Sequence, residues 1–120
     1  MRPSQPNEGG LAMAIDLKPP LSTYFEATNA HDAETVAALF GETALVHDEN
    51  SDHFGRTAIR QWAQGTYDKY DVRLRPENAS EEGQMTIVRT NVAGQFLGSP
   101  IELKFRFVTE GEKIRELRIG

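Results

Sequence analysis

Cysteine is absent from this 120-residue chain. That removes a disulfide framework, a thiolate nucleophile and any Cys-based zinc site, and is compatible with a reducing, cytoplasmic location. Positive charge is in short supply: 13 Lys and Arg stand against 18 Asp and Glu, for a formal net charge of -5. A duplex-binding protein needs a concentrated basic face, so neither nucleic acid nor an anionic membrane surface is expected as a partner. No apolar run approaches the length that spans a bilayer. The first stretch does not read as a signal peptide, because its only apolar run, Leu11 to Ile15, is closed by Asp16. No phosphate-binding loop or dinucleotide fingerprint occurs, so no cofactor is expected.

What remains is an ordinary globular composition, 38% hydrophobic and 26% charged, at a length that supports one domain. Residues 1–18 read as a flexible tail and residues 19–120 as the folded domain. Met13 offers an alternative start, which would leave Met1 to Ala12 outside the natural protein.

Pro19-Pro20 can open a helix carrying Leu21, Tyr24, Phe25 and Thr28 at helical spacing. The segment Asn29-Ala30-His31-Asp32 breaks it. Asp32 is placed to cap a second helix with Val36, Leu39 and Phe40 as its stripe, stopped by Gly41. Ala44 to Asp48 reads as a strand and Glu49 to Gly55 as a polar loop. Thr57 is the expected cap of a third helix, with Ile59, Trp62 and Ala63 on one face and an end near Tyr70.

The rest alternates with period two: Val72 and Leu74; Val88, Thr90, Val92 and Phe96; Ile101, Leu103, Phe105 and Phe107; then Ile114 to Ile119. Gly98-Ser99-Pro100 and Glu110-Gly111-Glu112 are turns. Gly94, in register with the inward set, marks a bend. The expected fold is therefore α+β: a cone-shaped, curved antiparallel sheet with about three N-terminal helices on its concave face, a cystatin-like roll. Phe40, Trp62, Val88, Thr90, Val92, Leu103 and Phe105 form the expected ligand-contacting wall.

Two residues carry candidate chemistry. Asp48 lies two and four residues beyond Val46 and Ala44, hence on their strand face. A carboxylate on an apolar inward face is costly unless used or paired, and burial raises its pKa as a general base requires. The alternative is a strand-end Asp already in solvent. Tyr24 sits on the apolar stripe of the first helix, either as a hydrogen-bond donor to a ligand or as a core Tyr whose tip reaches water. His47, Asp48, Asp52 and His53 invite a metal reading. Adjacent strand residues point apart and no third well-spaced ligand exists, so no metal is expected. Arg73, Arg75, Arg89, Lys104 and Arg106 form an outward basic stripe that reads as a solvated or dimer-facing surface.

The run Tyr24 to Asp32, then Ala38-Leu39-Phe40, His47-Asp48, Gly55 to Arg60 and Phe105-Arg106-Phe107 resembles the ketosteroid isomerase branch of the nuclear-transport-factor-two-like superfamily. SnoaL-like polyketide cyclases share this layout. The resemblance covers about residues 20 to 120 and implies a homodimer around a small-molecule pocket. It also implies Tyr24 as donor to a developing oxyanion and Asp48 as the group that moves a proton alpha to a carbonyl. The family's second donor, a protonated Asp, aligns with Leu103, and strand alternation turns the neighbouring Glu102 to the other face. Two readings follow. One is a cofactor-independent isomerase or cyclase acting on a small, largely apolar carbonyl compound. The other is a non-catalytic ligand-binding or assembly module.

Overall fold

The computed structural model describes residues 15–120. Most of the expected tail lies outside the described residues, and Ile15 and Leu17 at its end pack half-buried against the core. Helix α1 (Leu21–Asn29) buries Leu21, Tyr24, Phe25, Ala27 and Thr28. Helix α2 (Ala33–Ala38) is capped by Asp32, whose carboxylate accepts from the Thr35 N–H at 3.1 Å and the Thr35 hydroxyl at 2.7 Å.

Strand β1 (Phe40–Asp48) and the short β2 (Ser51–Phe54) form a hairpin, and helix α3 (Gly55–Tyr70) follows directly. Strands β3 (Arg73–Glu82), β4 (Met85–Ala93), β5 (Ile101–Glu110) and β6 (Lys113–Ile119) complete the chain. The six strands form one sheet in the order β2-β1-β6-β5-β4-β3. The sheet is antiparallel, as expected, except that β1 and β6 run parallel. Three helices on one curled sheet make this the expected α+β roll.

Four local expectations are corrected. Helix α2 ends at Ala38, so Phe40 opens β1 instead of completing a helical stripe, and Gly41 lies within the strand rather than stopping the helix. The parallel partner captures the chain there: the Ile114 N–H donates to the Leu39 carbonyl at 2.8 Å, and Phe40 pairs with Ile114. The expected loop Glu49–Gly55 is instead a two-residue turn and strand β2. Glu49 (φ 53°) and Asn50 (φ 62°) both adopt the left-handed conformation that matches a tight hairpin to strand twist. Helix α3 starts at Gly55, whose φ of 82° turns the chain in, so Thr57 lies inside the first turn and caps nothing. Strand β4 ends at Ala93, which puts Gly94 and Phe96 beyond it.

Gly94 serves a close approach rather than the bend of the sheet: a Cβ there would stand 2.6 Å from the Tyr70 carbonyl oxygen. The strand register shifts at Phe40/Leu45, Pro76/Asn78 and Val108/Thr109 instead, and such bulges bend strands. The last of these puts the extra residue, Arg115, on β6, so that Ile114 and Leu117, three apart, are both buried; Val108 on β5 is buried as well.

The core concentrates at one end of the roll. Tyr24 meets Phe25 and Phe107 with ring centroids 5.3 Å apart in each case, Phe40 at 6.4 Å and Phe105 at 6.3 Å. Such edge-to-face contacts add to the burial of large rings. Phe105 is 3% exposed. Phe105→Ala should lower unfolding free energy by about 3–5 kcal/mol; denaturant melts showing a loss below about 1 kcal/mol would place its ring outside the core.

Candidate functional site

Away from the aromatic cluster, the helices and the sheet do not close on each other. An apolar pocket of about 200 Å³ opens between them. Helix α1 contributes Tyr24 and Thr28; α3 contributes Trp62, Ala63, Thr66, Tyr67 and Tyr70. The sheet contributes Leu74, Val92, Ile101, Leu103, Phe105 and Ile119, with Phe96 from the β4–β5 loop. The β1–β2 turn places Asp48 and Glu49 in the same wall.

Of the expected wall, Trp62, Val92, Leu103 and Phe105 line the pocket, as do Tyr24 and Asp48. Phe40, Val88 and Thr90 do not. They are fully buried in the core, Phe40 because it belongs to β1, and Val88 and Thr90 because they lie deeper along β4 than Val92.

Asp48 ends the inward face that Ala44 and Val46 begin, and it is neither sealed in the core nor free in solvent. The Trp62 indole N–H donates to its Oδ2 at 3.0 Å. Burial pushes the carboxyl above the usual Asp range, and the charge of Glu49 adds to that; the Trp62 bond, His53 and the Glu49 backbone N–H pull the other way. The turn that presents Asp48 is itself held, since the Tyr70 hydroxyl donates to Glu49 Oε2 at 2.8 Å. Tyr24 is 2% exposed, and burial pushes its phenol upward, with the Tyr67 and Asp48 charges adding to the shift. A phenol so placed stays protonated and keeps its O–H as a hydrogen-bond donor.

His47 points away from Asp48, as alternation requires, and its Nδ1 lies 2.6 Å from Asp52 Oδ1. His53 lies beside the Trp62 ring, 6.1 Å between centroids. Among the described residues no group of three or more His, Asp or Glu is arranged to hold a metal ion. Leu103 faces the pocket, while Glu102 is exposed on the far side and pairs with Arg89 at 3.1 Å. In the basic stripe, Arg73 pairs with Asp71 and Arg75 with Glu77.

Thr28, Tyr67, Glu49 and Tyr70 were not singled out by sequence as site residues. Tyr67 carried a signal, standing four residues after Ala63 and eight after Ile59 on one face of α3. Asn29 also carries unforeseen weight. Its amide donates to the Leu74 carbonyl at 2.8 Å and accepts from the Leu74 N–H at 2.7 Å, tying the end of α1 to β3.

Trp62→Phe would remove the indole donor. Asp48 should then titrate at higher pH than in the parent, in carboxyl carbon NMR; an unmoved or lowered midpoint would mean the Trp62 bond does not act on the carboxylate.

Residues 21–117 match the family model described as the SnoaL-like domain. A solved structure of a candidate polyketide cyclase from Sinorhizobium meliloti is 28% identical, with TM-score 0.85, covering 91% of this chain and 100% of that one. A ketosteroid isomerase-like fold from Catenulispora acidiphila, solved with trimethylamine, is 19% identical with TM-score 0.74, covering 87% and 86%. The epoxide hydrolase/cyclase-like enzyme SalBIII, of pyran ring formation in salinomycin, is 22% identical with TM-score 0.70, covering 82% and 84%. No curated protein matches the chain at a significant level.

Proposed function

The chain belongs to the SnoaL-like domain family, and we propose that it acts on a small, largely apolar carbonyl compound by moving a proton alpha to the carbonyl without a cofactor. Asp48 takes the proton and Tyr24 donates its O–H to the enolate oxygen. The observation that carries this reading is the position of Asp48, a desolvated carboxylate in the wall of an apolar pocket that also contains the Tyr24 phenol. A base in that setting is pushed toward the working range and away from the pKa of a solvated Asp.

Leu103 limits the reaction. Loss of one oxyanion donor typically costs about 100- to 1000-fold in rate, so the pocket suits an already acidic dicarbonyl better than a simple ketone. The same residue favours a second reading, in which the pocket binds its ligand without turning it over. A homodimer through the outer sheet face, which carries Ile87 among paired charges such as Arg89–Glu102, is part of the proposal. Its location would be cytoplasmic. Among the described residues, no helix is long and apolar enough to cross a membrane.

Asp48→Asn should slow deuterium uptake at the alpha carbon of 2-acetylcyclohexanone by about 100-fold or more. In the parent, uptake should rise with pH through the raised Asp48 pKa. The stability sign is opposite to that of a salt-bridged Asp. A raised folded pKa means the native state holds the proton more tightly, so the stabilising share of Asp48 is present below its unfolded pKa and is lost as pH climbs through the folded value. Asp48→Asn should therefore keep or slightly raise the melting temperature at neutral pH. Asp48→Ala should melt lower than Asp48→Asn, because Ala leaves the Trp62 N–H without its acceptor. Equal deuterium uptake in parent and Asp48→Asn would leave only the binding reading.

The dimer is checked separately by sedimentation at micromolar concentration, where a single monomeric species would remove that part of the proposal.

A further inference from the structure

The pocket wall is charged in one sense. Among the described residues its charged side chains are Asp48 and Glu49, and no Lys, Arg or His lines it. Glu49 is answered from outside the lining, by the Tyr70 hydroxyl and by the charge of Lys69. Asp48 is not answered in that way. It takes part in no ion pair among the described residues. His53, whose charge reaches it, stands on β2 outside the lining. A half-buried carboxylate with no cation beside it is costly, and a cation brought by the ligand would remove that cost.

The surfaces next to Asp48 and Glu49 are aromatic. Trp62 and Tyr70 lie eight residues apart on α3, hence on one face, and both line the pocket half-buried. Phe96 meets Tyr70 nearly at right angles, with centroids 5.9 Å apart and planes at 87°. The β4–β5 loop is built to put it there. The Gln95 N–H donates to the Tyr70 carbonyl at 2.7 Å, and the Gly94 N–H donates to the Ser99 hydroxyl at 2.9 Å. A Cβ on Gly94 would stand 3.1 Å from the Phe96 ring as well as against the Tyr70 carbonyl, so glycine lets the loop close onto the end of α3.

Aromatic faces attract cations, Trp most strongly. The chain's own Lys69 ammonium already lies 5.0 Å from the Tyr70 ring centroid. An alkylated nitrogen adds apolar surface that suits the rest of the wall. A metal ion would need a set of oxygen or nitrogen ligands that the described residues do not assemble.

We propose that the ligand carries an alkylated ammonium group on or next to its acidic carbon, held between Asp48 and the rings of Trp62, Tyr70 and Phe96. This rests on the reading of Asp48 as the base and names the class of compound, an amino ketone with its nitrogen charged. The charge helps the chemistry too. When the alpha proton passes to Asp48, the C–H electron pair moves to the carbonyl oxygen. An anionic carboxylate and a cationic ketone become a neutral acid and an enolate balanced by its own nitrogen. The ligand thereby supplies part of the stabilisation that Leu103 cannot.

The test compares acetonyltrimethylammonium with 4,4-dimethylpentan-2-one, which has the same shape and carbonyl but no charge. Affinities are read by calorimetry, and the fluorescence of Trp62, the single tryptophan of the chain, reports that binding is in the pocket. The parent should bind the cation about tenfold or more tightly than the neutral ketone. Asp48→Asn should remove that preference while binding the neutral ketone as the parent does. Tyr70→Leu and Phe96→Leu should each weaken the cation several-fold more than the neutral ketone. Equal affinity for the two probes, no binding of the cation at millimolar concentration, or a preference that survives Asp48→Asn overturns the proposal. So does equal weakening of both probes by Tyr70→Leu and Phe96→Leu, which would make the rings mere shape. The role of Asp48 as a base is read separately, from deuterium uptake by the uncharged 2-acetylcyclohexanone, and it stands or falls there.

Discussion

Tyr24, Phe25, Phe40, Phe105 and Phe107 interlock at the closed end of the roll, and the open end depends on that contact. The cluster joins α1 to β1 and β5 in a sheet bent by register shifts on three separate strand pairs. A sheet pinned to a helix at one end and curled by bulges diverges from that helix at the other. The pocket is the space this divergence leaves, walled by side chains that continue the same inward faces. Cavity and core are thus one construction, and Tyr24 belongs to both: its ring packs in the cluster while the residue lines the cavity.

Three polar groups in this wall are braced by a neighbour. Trp62 holds Asp48, Tyr70 holds Glu49, and His31 backs Tyr67. Three of these supports come from α3 or stack on it, so the helix that closes the pocket also sets the geometry of its chemistry. A carboxylate and phenols in the wall of one largely apolar space suit a ligand that gives up a proton at one atom and gains negative charge at another.

The sequence disclosed the fold because the fold rests on periodicity. Period-two alternation through Leu103, Phe105 and Phe107 and the helical spacing of Leu21, Tyr24 and Phe25 report directly which faces are buried. It disclosed Asp48 for the same reason, as a charge on an inward face. The misread segments were those decided by partners distant in the chain. Phe40 becomes strand because Ile114 pairs with it, some seventy residues later. The β1–β2 turn contains no glycine at Glu49-Asn50, so its tightness left little mark. Thr28 and Tyr67 looked like ordinary helix residues, because their place in the wall is a property of the assembled pocket.

The central claim is that one ligand lies between Asp48 and Tyr24. A crystal structure with 2-acetylcyclohexanone tests it most directly. The account predicts a carbonyl oxygen within hydrogen-bond distance of the Tyr24 hydroxyl and the acidic alpha carbon turned toward the Asp48 carboxylate. A ligand seated outside the pocket, or held inside it with its oxygens away from Tyr24 and its alpha carbon away from Asp48, would contradict it.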